Sequence, residues 1–160
     1  MRLNLLLALA LGLCLISCAQ GGDSPEDVPS AATGPAKAAP AAAYNSVPAD
    51  TIQMLFQECD YIDYVFYYTN FSVSQNTPTD IQTALSYISA DVPEVLPQCK
   101  PVGHIFYQVR GENRAEADLY FDNTCIYMMF YEDGKPAYAN KLMPAGIAFF
   151  NQLFQNTQAR

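Results

Sequence analysis

The chain has 160 residues, 8 Lys+Arg against 16 Asp+Glu and a single His, for a net charge of −8. That length holds one domain plus a tail. Eight scattered cations build no basic patch, so nucleic acid is excluded as a partner, and one His with five Cys excludes a multi-His catalytic metal centre within the chain.

In chain order, Met1 to Ser17 reads as a processing signal. Arg2 supplies the positive start, and Leu3 to Ile16 is apolar except for Asn4. The run is too short to span a bilayer stably and ends in Leu15-Ile16-Ser17-Cys18. This tetrapeptide resembles the lipobox of bacterial lipoproteins. The resemblance implies cleavage before Cys18 and attachment there of diacylglycerol plus an amide-linked, palmitate-type acyl chain, which anchors stably where one chain would not. Ala19, in place of Asp, favours the outer membrane by the same resemblance. The acids Asp23, Glu26 and Asp27 loosely resemble the surface-export signal of Bacteroidota lipoproteins. The expected location is therefore the outer membrane, lipid-anchored, facing periplasm or surface.

Residues 18–47 read as a linker and 48–160 as the folded domain. Between Ala19 and Ala43 there are nine Ala, four Pro, three Gly and no aromatic residue. Such a segment buries too little apolar surface to offset the entropy of ordering. Its prolines favour extended polyproline II, which at ~3.1 Å per residue reaches roughly 80 Å.

The domain reads as α+β: two N-terminal helices, a four-stranded antiparallel β-meander and a C-terminal helix. The first helix starts after Pro48, with Asp50 or Thr51 as its cap. Ile52, Leu55, Phe56, Cys59, Ile62, Asp63 and Phe66 recur at three- and four-residue spacing, and the helix frays at Tyr68 to Asn70. Tyr61, Tyr64 and Tyr68 make a second stripe. The next helix is capped by Thr77, with Pro78 at its first position and Asp80 closing a capping-box-like arrangement. The last opens at Pro144 and runs to about Gln155.

Three turns set the meander register. Asp133-Gly134 is a two-residue hairpin signal that puts Glu132 opposite Lys135, Phe130 opposite Ala137 and Met128 opposite Ala139. Asn123-Thr124 pairs Phe121 with Ile126, Leu119 with Met128 and Ala117 with Phe130. Gly111-Glu112-Asn113 as a three-residue loop pairs Ile105 with Leu119 and Tyr107 with Ala117. All three give one apolar face, from Ile105, Tyr107 and Val109 through Ala115, Ala117, Leu119, Phe121, Ile126, Met128 and Phe130 to Ala137 and Ala139.

The opposite face then carries His104, Tyr120, Tyr127 and Asn140 in one row, Phe106, Asp118, Met129 and Tyr138 in the next, and Gln108, Glu116, Tyr131 and Pro136 in a third. Rings for stacking beside polar groups for orientation suit an envelope protein or a glycan. His104, Phe106, Asp118, Tyr120, Tyr127, Met129 and Tyr138 are the candidate binding residues. The competing expectation is that the first helix covers this face as a second small core.

After export the cysteines meet an oxidising compartment. Cys99 and Cys125 lie at the same end of the meander and are the favoured disulfide. Cys59 with Cys99 is the rival pairing; otherwise Cys59 is a packed free thiol. No cofactor, metal set or catalytic motif is read. The function expected is non-enzymatic binding, with two alternatives: a small hydrolase drawing on Glu116, Asp118 and His104, or a structural subunit.

Overall fold

A computed structural model describes residues 43–158; the lipobox, Cys18 and most of the linker lie outside the described residues. In chain order the elements are helix α1 (Ala49–Glu58), strands β1 (Tyr61–Phe66) and β2 (Ser72–Gln75), helix α2 (Pro78–Leu85), strands β3 (Gly103–Val109), β4 (Glu112–Phe121), β5 (Ile126–Glu132) and β6 (Lys135–Lys141), and helix α3 (Pro144–Gln158). The strands form one antiparallel sheet in the order β2-β1-β3-β4-β5-β6. Among the described residues no helix is long and apolar enough to cross a membrane.

The α+β class and the four-strand meander are as expected, but the sheet has six strands. The expected first helix stops at Glu58, because Cys59 turns extended (φ −63°, ψ 125°). Residues 61–66 instead alternate: Ile62, Tyr64 and Phe66 point into the core, while Tyr61, Asp63 and Val65 point away. A helical reading buries Asp63 in the apolar stripe; an extended one turns it outward. Nor do Asp50 or Thr51 cap α1, whose N-cap is Pro48 with no side-chain bond. The capping of α2 is as expected, with the Asp80 N–H donating to Thr77 Oγ1 at 3.3 Å and the Thr77 hydroxyl donating to Asp80 Oδ2 at 2.6 Å.

The meander follows its predicted β4–β5 register residue for residue. Elsewhere, two bulges change it. The β3–β4 turn is two residues long, with Arg110 (φ 54°) and Gly111 (φ 82°) both left-handed, which is the hairpin geometry whose twist matches the strands. An irregularity beyond it leaves Ile105 opposite Ala117 and Tyr107 opposite Ala115, two residues from expectation but on the same face. The β5–β6 turn at Asp133-Gly134 pairs Glu132 with Lys135 as predicted. A bulge then makes Ala137 the extra residue, so Phe130 faces Tyr138 and Met128 faces Asn140. A shift of one residue exchanges the faces of a strand. Tyr138 and Asn140 therefore join the core side, and Ala139 the other.

That core side carries Ile62, Tyr64, Phe66, Ile105, Tyr107, Ala117, Leu119, Met128 and Phe130, packed against Leu55 of α1, Ile81 and Leu85 of α2, and Phe150 of α3. All three helices thus lie on one face. Asn140, almost fully buried, fastens the β6 edge. Its Oδ1 accepts from the Val47 N–H at 2.9 Å, and its Nδ2 donates to Ser46 Oγ at 2.6 Å and Ser89 O at 2.8 Å. Asn45 pairs in parallel with Tyr138, and its carbonyl accepts from the Ala139 N–H at 2.9 Å. Asn140→Ala leaves the Val47 N–H and the Ser89 carbonyl unpaired. Urea unfolding is expected to show a loss of about 3 kcal/mol, against less than about 0.5 kcal/mol for Glu94→Gln at an exposed position.

Candidate functional site

The second face of the sheet meets no helix of the core cluster. One continuous row crosses all six strands: Ser72, Val65, His104, Asp118, Met129 and Ala139. Beside it run Ser74, Asp63, Phe106 and Glu116 across four strands. On the other side Tyr120 pairs with Tyr127, and Tyr127 with Lys141.

Asp118 is the centre of this face. It is only 6% exposed, an unusual position for a carboxylate. Three donors from three strands or their ends satisfy it. The His104 ring nitrogen Nδ1 lies 2.8 Å from Oδ1, the Tyr67 hydroxyl donates to Oδ1 at 3.0 Å, and the Tyr131 hydroxyl donates to Oδ2 at 2.8 Å. Burial pushes the Asp118 carboxyl up, but the bonds from His104, Tyr131 and Tyr67 outweigh it and hold it below the usual carboxylate range. The bond to Asp118 raises the His104 imidazole above its ordinary value against the opposing effect of burial. Partial burial and the Asp118 bond push Tyr67 up to about 12.

His104 is also hemmed in sterically. The Phe106 ring lies 4.6 Å from it and the Tyr131 ring 5.7 Å, centroid to centroid. Its other nitrogen, Nε2, looks toward Glu116 Oε2 at 3.5 Å. With a carboxylate on Nδ1, the neutral imidazole carries its proton there and leaves Nε2 as the acceptor. The arrangement can orient a polar ligand or accept a proton.

The other end of the face is covered. Cys99 and Cys125 form a disulfide, Cα to Cα 5.8 Å, that fastens the 91–99 segment to the end of β5. Tyr44, Val95 and Cys99 pack there on Cys125, Tyr127, Met129, Ala139 and Tyr120. Tyr120 and Tyr127 stack at 4.4 Å. A cavity of about 300 Å³ remains between Tyr44, Pro97 and Pro136. A larger one, about 500 Å³, lies between α1 and Ile88–Ala90 and is lined by none of His104, Glu116 or Asp118.

The seven candidate binding residues therefore separate into three groups. His104, Phe106 and Asp118 come together on the open part. Tyr120, Tyr127 and Met129 belong to a second small core, built by the disulfide-linked segment rather than by the first helix. Tyr138 stands on the core side because of the Ala137 bulge, and its hydroxyl donates to Glu132 at 2.9 Å. Cys125 is committed to the disulfide. Among the described residues the free cysteine is Cys59, half-buried, its thiol pushed up by burial. Sequence reading missed Tyr67, Asp63 and Val65 as members of this face. The alternation over residues 61–66 is the signal that places Asp63 and Val65, and Tyr67 follows it by one residue.

His104 being the chain's one histidine, its imidazole gives an unambiguous NMR titration. Its raised pKa contributes stability below about 6.5 that is lost as pH rises through the folded value. The depressed Asp118 contributes stability above the carboxylate range, lost as pH falls through its folded value. The pair is thus most stabilising in mildly acid solution. Asp118→Asn is expected to lower the His104 midpoint, and an unchanged midpoint would contradict the pairing. Compared with known proteins, the chain matches no family model, no curated protein and no solved structure.

Proposed function

We propose that this chain is a lipid-anchored envelope protein whose folded domain is a non-enzymatic binding module, and that it binds through the open part of the second sheet face. One observation carries the reading. Val65 and Tyr67 stand 38% and 47% exposed beside Phe106, His104 and Tyr131, around a carboxylate held in place by three donors. Apolar side chains grouped on a rigid sheet around oriented polar groups are the chemistry of a recognition surface. The lipobox-like Leu15-Ile16-Ser17-Cys18 and the Pro/Ala-rich linker support anchoring with reach.

A second reading, a small hydrolase, draws on the His104–Asp118 bond. A histidine whose Nδ1 is held by a buried carboxylate is oriented as a general base at Nε2. It would act on a water, since the Cys125 sulfur is committed to the disulfide. Turnover of an envelope polysaccharide or peptide, lost in His104→Asn, would favour that reading over binding alone.

Two experiments test the proposal. Growth with an alkyne-tagged fatty acid is expected to label the wild-type chain, while Cys18→Ala loses the label and leaves the membrane fraction. Affinity capture from detergent-solubilised envelope, with the full chain as bait, is expected to retain a partner that Phe106→Ala loses by about tenfold or more, the scale of a buried aromatic anchor. Tyr138→Ala, on the other face, should leave capture unchanged. Equal capture by all three baits would remove the sheet face from the account.

A further inference from the structure

The charge pattern of the open face identifies its ligand more closely. Asp63 on β1 and Glu116 on β4 flank Phe106 on β3 in a single cross-strand row. With neighbouring strands about 4.8 Å apart, the two carboxylate positions lie roughly 10 Å apart with the phenyl ring between them. Both are held by neutral donors: the Ser74 hydroxyl donates to Asp63 at 2.9 Å, and Asn113 Nδ2 donates to Glu116 at 3.2 Å. Among the described residues, neither is ion-paired with a lysine or arginine; the ion pairs involve His104 with Glu116 and Asp118, and Arg114 with Glu112. Lys141 lies in the row beyond Asp118, beside Tyr127. The face is thus short of cations, on a chain of net charge −8.

We propose that the occupant of this face is an arginine-bearing extended segment of a partner protein, with a guanidinium stacked on Phe106 between the Asp63 and Glu116 carboxylates. The proposal rests on the binding reading above and names the partner's chemistry. A guanidinium stacks flat on a ring while its edge donates to carboxylates in its plane, and both features occur here within one row. An anionic partner, whether phosphate, nucleic acid or acidic lipid, meets uncompensated negative charge. A neutral glycan leaves Asp63 without a counter-charge and Glu116 with the His104 imidazole alone. Val65 and Tyr67, both exposed, extend the apolar contact along β1 and just beyond its end, a length that a chain segment fills and a small amine does not.

The test uses the full chain in non-ionic detergent and a fluorescently labelled ten-residue peptide of alternating Arg and Ser, with Lys/Ser and Glu/Ser peptides alongside. The expected order of affinity is Arg above Lys, with no binding of the Glu peptide. The Asp63→Asn, Glu116→Gln double variant and Phe106→Ala should each weaken Arg-peptide binding by about tenfold or more. The Glu94→Gln, Asp133→Asn double variant removes the same charge away from this row and should change binding by less than about twofold. Equal weakening by both double variants would reduce the effect to overall acidity and overturn the proposal. No binding of the Arg peptide, while envelope capture still depends on Phe106, would overturn the cationic partner and leave the binding face standing. Loss of both would remove the face as well.

Discussion

A buried carboxylate needs partners, and meeting the needs of Asp118 organises the second face of this sheet. Its donors come from β3, from β5 and from the residue that follows β1. They reach it only if His104 stands opposite Asp118, Tyr131 lies on the same side of β5, and the chain leaving β1 brings Tyr67 over the face. Removing any one leaves a nearly dry acid with fewer bonds, which is costly. The cluster therefore ties together the strands that flank the open surface.

The two faces of the sheet meet different ends by the same rule of alternation. On one, aromatic and aliphatic side chains at every second position take up all three helices. On the other, the pattern is mixed, and the chain completes it with two separate devices. The disulfide holds the 91–99 segment over Tyr120, Tyr127 and Met129. The Asp118 cluster satisfies the polar centre, and beyond it the strands β1 and β3 keep their outward side chains uncovered. The β6 edge is closed by the 45–47 segment through Asn45 and Asn140, which leaves β2 as the outer strand at the opposite side.

Much of this was legible in the sequence where local chemistry decides structure. The turns at Asn123-Thr124 and Asp133-Gly134 and the Thr77 cap follow from side-chain and backbone preferences within a few residues, and the Cys99–Cys125 proximity, 26 residues apart in sequence, follows from the meander that those turns imply. Two errors share a physical origin in periodicity. Leu55, Cys59, Ile62 and Phe66 match helical spacing, yet Ile62 and Phe66 are equally consistent with the inward positions of a strand, and sheet pairing with β3 decides between them. Ala137 carries no mark of a bulge, yet the extra residue moves Tyr138 and Asn140 to the core side. In the open face, alternation put His104, Phe106 and Asp118 on the same side, but the expected register set Asp118 opposite Phe106, where the structure sets it opposite His104. Asp63 and Tyr67 were not placed there, because β1 and the residue that follows it were read as helix.

The account's central claim is that the open part of this face is occupied in the envelope. Hydroxyl-radical footprinting reads it directly, by comparing the chain in intact envelopes with the purified chain. Phe106, Tyr67 and Tyr131 are expected to be oxidised readily when purified and to be protected in the envelope. Tyr127 and Met129, buried beneath the disulfide-linked segment, should be protected in both. Equal oxidation of Phe106 and Tyr67 in the two preparations would contradict the claim.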